Sequence, residues 1–302
     1  MWLSVIVPTR NRFLSLQNLL ESLERASPPK GSAVEILIAD NGSTDGTAVF
    51  LRQEISKPRK FALEILHEKT PGKANALNTG LSRARGDIVL IIDDDVTADP
   101  ALFSSHCEEH QSRGFHAIQG RILPGTGPQG ESADPAKLRE YNIPYIDYGD
   151  QVREIRGLTG TNMSIKRQVF EKVGFFDTRL GPGAAGFSED SEYSIRIRKA
   201  GFKIGYTPHA IVYHELNPNR YGRIYNRTVE YRKGLSRSIY RRDSIAFSVV
   251  PNLVANVMRY GLYRLMRKRQ KAYKTEGRIM KCWGYLIGKA HRIDSADRHS
   301  KS

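Results

Sequence analysis

The sequence predicts an α/β fold with a mostly parallel central sheet flanked by helices, followed by a basic, mainly helical extension. Three observations support this prediction. In the first half, short apolar runs rich in β-branched residues alternate with amphipathic stretches, which is typical of βαβ units. Unusual polar residues follow the apolar runs, at the strand ends where such sheets bind ligands. Basic residues are concentrated after residue 215.

The predicted strands and helices alternate from the N-terminus onward. The predicted strands cover residues 3–7, 34–39, 63–67 and 88–92, and the predicted helices cover residues 14–23, 48–55 and 74–84. The first run has no basic segment or long apolar segment, so we interpret it as a strand rather than as a signal peptide. Cys107 and Cys282 match neither a disulfide framework nor a zinc-ligand spacing, and a cytoplasmic protein is expected.

The second half begins with a segment that predicts a loop. Residues 124–150 are rich in Gly, Pro, Ser and Asp, and we interpret them as an excursion over the site. The pattern then resumes with a polar turn at 160–162, a helix near 166–173, a Gly-rich loop at 181–186, a helix near 190–200, a strand near 203–207 and an apolar run at 210–213.

The charge of the chain is divided unevenly along its length. The formal net charge is +15, but residues 1–150 hold 16 Lys and Arg against 20 Asp and Glu, whereas residues 216–302 hold 21 against 5. A uniformly basic nucleic-acid groove is therefore not expected, and a slightly acidic body carries a strongly basic appendage. With 39% hydrophobic and 26% charged residues, both disorder and a multispanning membrane protein are excluded.

Three consecutive carboxylates, Asp93, Asp94 and Asp95, follow the apolar run at 88–92. Because adjacent carboxylates repel one another, a fold that keeps them together at a strand end gains something from their charge. A hard divalent cation such as Mg²⁺ or Mn²⁺ would neutralise them and bridge to phosphate oxygens. The alternative is a helix N-terminus that carries acidic residues. We favour the cation because there are three carboxylates behind a buried strand.

Five motifs in this order resemble the family 2 glycosyltransferases of the GT-A fold. They are V5-I-V-P-T-R-N11, I38-A-D-N-G-S-T-D45, G72-K-A-N-A-L-N-T-G80, D93-D-D95 and S188-E-D-S-E192. Each motif alone is weak, but their joint order over residues 3–214 is specific. The resemblance implies a GT-A catalytic domain over residues 1–215, with a nucleotide-sugar-binding half at 1–100 and an acceptor-side half at 101–215, and an extension at 216–302.

The resemblance also implies a donor site at the strand ends. The donor-binding residues that it implies are Pro8, Thr9, Arg10, Asp40, Lys73, Asp93 and Asp94. Asp40 would contact the base or ribose, although residues 40–43 are also turn formers, and we expect both roles. Lys73 would lie near the diphosphate, and the alternative is a solvated lysine at a helix start. The family often has Asp or Asn before this aspartate, whereas Ala39 stands here, so the base pocket differs.

For the metal, the resemblance implies that Asp95 is the more direct ligand, that Asp93 contacts the ribose or the metal, and that His214 is a further ligand. A lone histidine at a strand end is otherwise more often structural. The family pattern gives the role of catalytic base to Asp190, because an acceptor hydroxyl needs a carboxylate to take its proton. The alternative for Asp190 is an acid that only favours the helix dipole. Glu189 and Asn162 are expected on the acceptor side.

The predicted activity is sugar transfer from a UDP- or GDP-linked donor to a hydroxyl on a glycan or lipid-linked acceptor, in surface polysaccharide biosynthesis. One carboxylate base and no carboxylate nucleophile predict a single in-line displacement with inversion. The alternatives are nucleotidyl transfer and a nucleic-acid-binding α/β protein. Residues 8–12 contain no glycine, whereas nucleotidyltransferases have a Gly-rich loop there, and no nucleic-acid partner is expected.

The basic extension contains an apolar stretch at 245–266 that Arg259 and Arg264 interrupt. It is too interrupted to predict a spanning helix, but it suits a helix in the headgroup layer of an anionic membrane. The protein would then be peripheral at the inner face of the cell membrane. Two alternatives stay open: a helical cap packed on the catalytic body, and a nucleic-acid-binding tail without a recognised module.

Overall fold

The computed structural model of the protein describes residues 1–125, 127, 145–217, 220 and 222–299. Most of the loop predicted at 124–150 therefore lies outside the described residues. The strands are β1 (Trp2–Thr9), β2 (Ala33–Asp40), β3 (Ala62–His67), β4 (Ile88–Ile92), β5 (Val96–Ala98), β6 (Ala117–Pro124), β7 (Arg153–Ile155), β8 (Asn162–Lys166) and β9 (Ile204–His214). The helices are α1 (Phe13–Arg25), α2 (Thr47–Glu54), α3 (Lys73–Arg83), α4 (Leu102–Ser112), α5 (Arg167–Val173), α6 (Glu189–Lys199), α7 (Arg223–Tyr240), α8 (Val250–Leu265) and α9 (Arg269–His299).

The nine described strands form one sheet in the order β3-β2-β1-β4-β8-β6-β9-β5, with β7 paired to β9. The ladders among β1, β2, β3 and β4 are parallel, as the alternating pattern predicts. Strand β8 is antiparallel to β4 and β6, while β5 and β7 are antiparallel to β9. The predicted α/β fold is confirmed, and its sheet is mixed outside the first four strands.

The strand directions bring several chain ends to one edge of the sheet. Strand β9 points the same way as β4, because β8 reverses direction between β4 and β6 and because β6 and β9 are parallel. The carboxyl ends of β1, β2, β4 and β9 and the amino end of β8 therefore meet at one edge. We call it the carboxyl edge, and it is defined by Thr9, Asp40, Asp93, Asn162 and His214.

The core lies on both faces of the sheet. Every residue of β4 is buried, as expected for a central strand covered on two sides. Because side chains alternate along a strand, Val5 of β1 packs in the cluster that contains Leu16 of α1, whereas Ile6 packs in the cluster that contains Leu77 of α3. These two layers hold the strand ends of the carboxyl edge in fixed register.

The two apolar runs predicted at 203–207 and 210–213 are one strand, β9, which passes through Pro208. Its pairing with β6 shifts register between Gln119 and Arg121, where an irregularity interrupts the ladder. Proline has no N–H to donate, so a strand tolerates it at such an irregularity. The strand continues past it and delivers His214 to the carboxyl edge.

The chain divides into two compact units. The described residues within 1–133, 144–178 and 189–216 form the first unit, which contains the whole sheet. Residues 179–188 and the described residues after 216 belong to the second unit, which contains α7, α8 and α9. The predicted helical character of the C-terminal region is confirmed. The domain boundary at 215/216 and the two halves of the catalytic domain stay predictions.

Within the second unit, glycines allow α7 and α9 to pack backbone against backbone. A Cβ on Gly284 would stand 2.0 Å from the carbonyl oxygen of Tyr231, and a Cβ on Gly234 would stand 2.2 Å from the carbonyl oxygen of Lys281. Tyr285 is buried beside this contact, and its hydroxyl accepts the N–H of Asp243 at 2.9 Å. The glycines are therefore required by close approach rather than by backbone torsion.

One described helical stretch, Ile245–Leu265, has the length and composition of a membrane-crossing segment, with a mean hydropathy of 1.2. Its first turn, Ile245–Val249, is π-helical and leads directly into α8. Only 11% of the stretch is buried. An apolar helix of this kind that stands exposed differs from an ordinary core helix, although one such stretch is weak evidence for a membrane span.

Candidate active site

Three potential metal ligands converge at the carboxyl edge. The ligand atoms of Asp93, Asp95 and His214 all lie within 4.8 Å of one another. The two aspartates come directly after β4, and the histidine is the last residue of β9. The parallel directions of these two strands therefore bring together residues that are more than a hundred positions apart in the sequence.

The orientation of His214 leaves one ring nitrogen available to the cluster. Its Nδ1 lies 2.8 Å from the carbonyl oxygen of Glu215, and because a carbonyl only accepts, Nδ1 carries the hydrogen. Its Nε2 faces Oδ1 of Asp95 at 3.2 Å. Burial lowers the pKa of His214, but the hydrogen bond and charge of Asp95 outweigh burial and raise the pKa. A backbone acceptor behind the ring is the usual arrangement of a metal-ligating histidine.

Asp94 points away from this cluster toward the end of β1. The hydroxyl of Thr9 donates to Oδ2 of Asp94 at 2.8 Å. Burial and the neighbouring charge of Asp95 raise the pKa of Asp94 to about 7. Within the predicted donor set, Thr9 and Asp94 are therefore brought together, while Pro8 is buried beside them and Arg10 is exposed.

Lys73 lies between Asp93, which follows β4, and the acidic pair Glu189 and Asp190 on α6. Its ammonium donates to Oδ1 of Asp93 and lies 4.0 Å from Oε1 of Glu189. Burial lowers the pKa of Lys73, but the charges of Asp93 and Glu189, with a smaller contribution from Asp190, raise it above its ordinary value. The lysine is thus charged and faces the site, rather than solvated at a helix start.

A buried asparagine that the sequence indicated only as a turn residue fixes the start of α3. The side-chain oxygen of Asn41 accepts the N–H of Gly72 at 2.7 Å, and its amide donates to the carbonyl oxygens of Glu68 and Thr70. Gly72 has a φ of 135°, which an L-residue rarely adopts. The asparagine therefore ties the loop that carries Lys73 to the end of β2.

Asp40 forms the turn that its neighbours predict. Its Oδ1 accepts the backbone N–H of Ser43 at 3.0 Å and the hydroxyl of the same serine at 2.6 Å. Its Oδ2 lies 4.0 Å from Nδ1 of His67. The turn therefore occupies one carboxylate oxygen, and a contact of Asp40 with a base or ribose stays a prediction.

Two further contacts to the aspartates were not predicted from the sequence. The hydroxyl of Thr161 donates to Oδ2 of Asp93 at 2.8 Å, and the guanidinium of Arg12 lies 3.6 Å from Oδ2 of Asp95. Thr161 precedes β8, the antiparallel strand whose position the sequence pattern did not reveal. Arg12 lies in the loop after β1, where charge alone does not distinguish it from Arg10.

The acidic pair lies in the first turn of α6. Oδ2 of Asp190 accepts the N–H of Gly160 at 3.4 Å, and Oδ1 accepts the N–H of Ser191 at 2.6 Å. Burial raises the pKa of Asp190, and Lys73 partly offsets this effect. Burial and the charge of Asp190 likewise raise the pKa of Glu189. A carboxyl group whose pKa is raised by burial and that lies near a lysine differs from a solvated carboxylate that only interacts favourably with the helix dipole.

Asn162 is buried at the start of β8, and its acceptor-side role stays a prediction. Its side chain is fully buried, and its amide donates to the carbonyl oxygens of Arg121 and Ala210. Its side-chain oxygen lies 2.9 Å from Nε2 of His106. Both N–H donors of this amide are therefore engaged within the core.

Together, the fold and the site define an α/β protein whose sheet carries an acidic, lysine-bearing site of nucleotide-binding type at its carboxyl edge. A sequence model of the family described as Glycosyl transferase family 2 matches residues 4–174, more than half of the chain. The protein therefore belongs to glycosyl transferase family 2. This membership confirms the resemblance and favours glycosyl transfer over nucleotidyl transfer and nucleic-acid binding.

Individual relatives are distant. Probable glycosyltransferase YdaM of Bacillus subtilis (strain 168) is 24% identical over 219 residues, which cover 70% of this chain and 50% of that protein. Glycosyltransferase AglE of Haloferax volcanii is 25% identical over 224 residues, which cover 72% of this chain and 68% of that protein. An undecaprenyl-phosphate 4-deoxy-4-formamido-L-arabinose transferase of Pectobacterium carotovorum subsp. carotovorum (strain PC1) is 33% identical over 123 residues, covering 41% and 36%. The chain thus spans half the length of the Bacillus relative.

Solved structures share the fold. A mannosyltransferase, PcManGT from Pyrobaculum calidifontis in complex with GDP-Man and Mn²⁺, superposes with a TM-score of 0.62 at 19% identity, covering 94% of this chain and 86% of that one. GalNAc-T7 with UDP, GalNAc and Mn²⁺ gives a TM-score of 0.57 at 17% identity, covering 78% and 49%. The predicted GT-A fold is confirmed by these neighbours.

Proposed function

We propose that this protein is an inverting glycosyltransferase that moves a sugar from a nucleotide-diphosphate donor to a hydroxyl acceptor in surface glycan assembly. The observation that carries the proposal is the convergence of Asp93, Asp95 and His214 within 4.8 Å at the carboxyl edge. Lys73 contacts the first of these aspartates and lies 4.0 Å from Glu189 on α6. Lys73 therefore lies next to both the proposed cation ligands and the acidic pair on α6.

The three candidate metal ligands are chemically suited to a divalent cation. Two carboxylates and an imidazole whose Nδ1 is engaged by a backbone carbonyl are ligands that such ions accept, and three adjacent acids gain from neutralisation. We propose that Asp93, Asp95 and His214 hold Mn²⁺ or Mg²⁺, which would offset the negative charge of a diphosphate leaving group. The Mn²⁺ in two solved neighbours supports this proposal.

The nucleotide is proposed to lie against the loops after β1 and β2. Pro8, Thr9, Arg10 and Asp40 border that position, and Asp94 holds the hydroxyl of Thr9 in place. Lys73 contributes a fixed positive charge toward the diphosphate, because the surrounding carboxylates keep it protonated. The UDP and GDP-Man in solved neighbours support a donor linked to one of these nucleotides.

Asp190 is proposed to accept the proton of the acceptor hydroxyl as that oxygen attacks the anomeric carbon. Burial raises the pKa of Asp190, and a carboxylate of higher pKa is the stronger base. The N–H groups of Gly160 and Ser191 hold its two oxygens in place. With the base on one side and the leaving diphosphate on the other, the displacement is in line and inverts the anomeric centre.

The acceptor is proposed to be a glycan or a lipid-linked saccharide, with Glu189 beside it. The undecaprenyl-phosphate transferase among the relatives supports a lipid-linked acceptor. We further propose that the protein is peripheral at the inner face of the cell membrane, held there by the basic C-terminal region. No nucleic-acid partner is part of the proposal.

The test is sugar transfer by the full-length protein with a panel of UDP- and GDP-linked donors, Mn²⁺ and saccharide acceptors. Asp190→Asn is expected to lower kcat by about 10²–10⁴-fold while donor binding is kept. Glu192→Gln is the matched control, because Glu192 lies on the same helix and pairs with Arg196. Undiminished transfer by the Asp190 variant would refute the assignment of the base, and a wild-type protein inactive with every donor would refute the function.

A further inference from the structure

The outward side of α8 and of the turn before it is apolar along its whole length. We call it the α8 apolar face, and its residues are Phe247, Val250, Val254, Met258, Leu262 and Leu265. Phe247 is 91% exposed, Leu265 is 83% exposed and Met258 is 70% exposed. Single exposed apolar residues are ordinary, but a continuous row on one helix indicates a surface that an apolar phase or partner covers.

The inward side of the same helix holds the buried residues. Asn256 is buried, and its amide donates to the carbonyl oxygen of Asn252 at 2.7 Å. Val249, at the end of the π-helical turn, is buried as well. A water-facing surface helix shows its polar residues outward and its apolar residues inward. The six exposed apolar side chains of the α8 apolar face depart from the outward part of this pattern, which indicates that they are covered when the protein works.

Basic residues border the α8 apolar face. On a helix with 3.6 residues per turn, Arg259 lies about 100° from Met258, and Arg264 lies about 120° from it in the other direction. Both arginines are exposed. Arg267, Lys268, Arg269 and Lys271 follow the end of the helix. From residue 244 to residue 275 the sequence contains seven Lys and Arg and no Asp or Glu.

We propose that the α8 apolar face lies in the headgroup layer of an anionic phospholipid bilayer, with the helix axis parallel to the membrane plane. This deepens the membrane setting proposed above by naming the surface and the lipid charge that it needs. The apolar row would reach the acyl boundary, while Arg259 and Arg264 extend to lipid phosphates on either side. Anionic lipid is the occupant that satisfies both the apolar row and an uncompensated positive charge.

Other occupants fit the charges less well. A second copy of the chain would bring the same arginines and lysines face to face, and like charges repel. A spanning helix would carry Arg259 and Arg264 into hydrocarbon, where charged side chains are costly. It would also remove α8 from α9, against which it packs. The charges and the packing therefore favour a helix that lies on the membrane.

The test is flotation of the full-length protein with vesicles, in the absence of any sugar nucleotide. The wild type is expected to float with vesicles rich in phosphatidylglycerol, to float less at about 0.5 M NaCl, and to stay in solution with pure phosphatidylcholine. Changing both Met258→Glu and Leu265→Glu is expected to lower partitioning by about tenfold or more. The matched control changes Leu14→Glu and Ile224→Glu, which are exposed apolar residues outside this face, and is expected to float like the wild type.

A second measurement reports the position of the helix. In Phe247→Trp, tryptophan emission is expected to shift to the blue on addition of anionic vesicles and to be quenched by brominated lipid, whereas Ile224→Trp changes neither signal. Equal flotation of the wild type and the Met258/Leu265 variant would overturn the proposal. So would a lipid-free dimer that the same variant dissolves, or retention of the protein in membranes after alkaline carbonate extraction. Because no step requires catalysis, an inactive enzyme would leave these results unchanged.

Discussion

Asp95 is the residue on which the proposed cation site depends most, because it is buried and faces both His214 and Arg12. Asp95→Asn keeps the size of the side chain but removes its charge. Calorimetry with Mn²⁺ and UDP or GDP is expected to show metal-linked nucleotide binding at least about tenfold weaker than in the wild type.

The control for this variant is Asp99→Asn, which changes an aspartate just after β5 whose carboxylate accepts the N–H of Ala101. That protein is expected to bind as the wild type does. If Asp95→Asn and the wild type showed the same metal-linked binding, the cation site would have to be withdrawn.

Individual residues of the candidate site differ in how far the sequence predicts their surroundings. Aspartates after a buried strand are visible as a pattern, and so are Asp190 and Lys73 through the family motifs. Asn162 and Asn41 are not, because the number of hydrogen bonds that a buried amide makes depends on distant backbone groups. The sequence therefore did not indicate that the side chain of Asn162 is engaged by Arg121 and Ala210.

At the scale of elements, the contact between α7 and α9 predicts an unusual effect of Gly284→Ala. Alanine normally stabilises a helix relative to glycine, but here its Cβ would stand 2.0 Å from the carbonyl oxygen of Tyr231. The helices would have to separate, and the free energy of unfolding is expected to fall by about 1–3 kcal/mol in urea titrations.

Gly261→Ala serves as the control within α8, because nothing lies within 4 Å of its added Cβ. This change is expected to raise the stability by about 0.5–1 kcal/mol. Effects of the same sign in both variants would contradict the backbone contact between α7 and α9.

Buried histidines connect α4 to β8 and make stability depend on pH. Ser164 lies 2.8 Å from Nδ1 of His106 and 2.8 Å from Nε2 of His110. Burial lowers the pKa of His106 to about 4 and that of His110 to about 3. These pKa values lie below the ordinary histidine pKa of about 6.5. At pH values between the lowered and the ordinary pKa, the unfolded chain therefore binds more protons than the folded chain, and the stability of the fold decreases as the pH falls.

Each of these histidines is expected to cost the folded protein about 2 kcal/mol at pH 5 relative to pH 7.5. Urea midpoints measured across this range give the slope directly. His110→Gln is expected to reduce the slope of unfolding free energy against pH by the equivalent of about one bound proton. His209→Gln, which changes an exposed histidine, is expected to leave this slope as in the wild type. A slope that is identical in all three proteins would exclude the buried pair as its cause.

The elements themselves were predicted with uneven success. The parallel direction of β1 to β4 follows from the alternation of strand and helix patterns, since each of these strands is joined to the next through a helix. The antiparallel direction of β8 and the continuity of β9 through Pro208 do not follow, because pairing partners are set by tertiary contacts rather than by local pattern.

At the scale of the whole molecule, charge separates two tasks along one chain. Residues 1–150 are slightly acidic and include both aspartates of the proposed cation site, whereas residues 216–302 carry a formal charge of +16. Net charge alone predicted a nucleic-acid binder, and only its division along the chain indicated otherwise. How these charges are arranged on helices became visible only in the structure, where Arg259 and Arg264 lie at the borders of the α8 apolar face.

The contribution of β9 to the proposed cation site has a consequence for synthesis on the ribosome. Asp93 and Asp95 are made first, and His214 completes the proposed site only after more than a hundred further residues have been added. A nascent chain that ends at residue 174 contains the whole region that the family model matches. It still lacks both His214 and Asp190, so under the proposed function it is expected to bind the cation more weakly than the complete site does and to transfer no sugar.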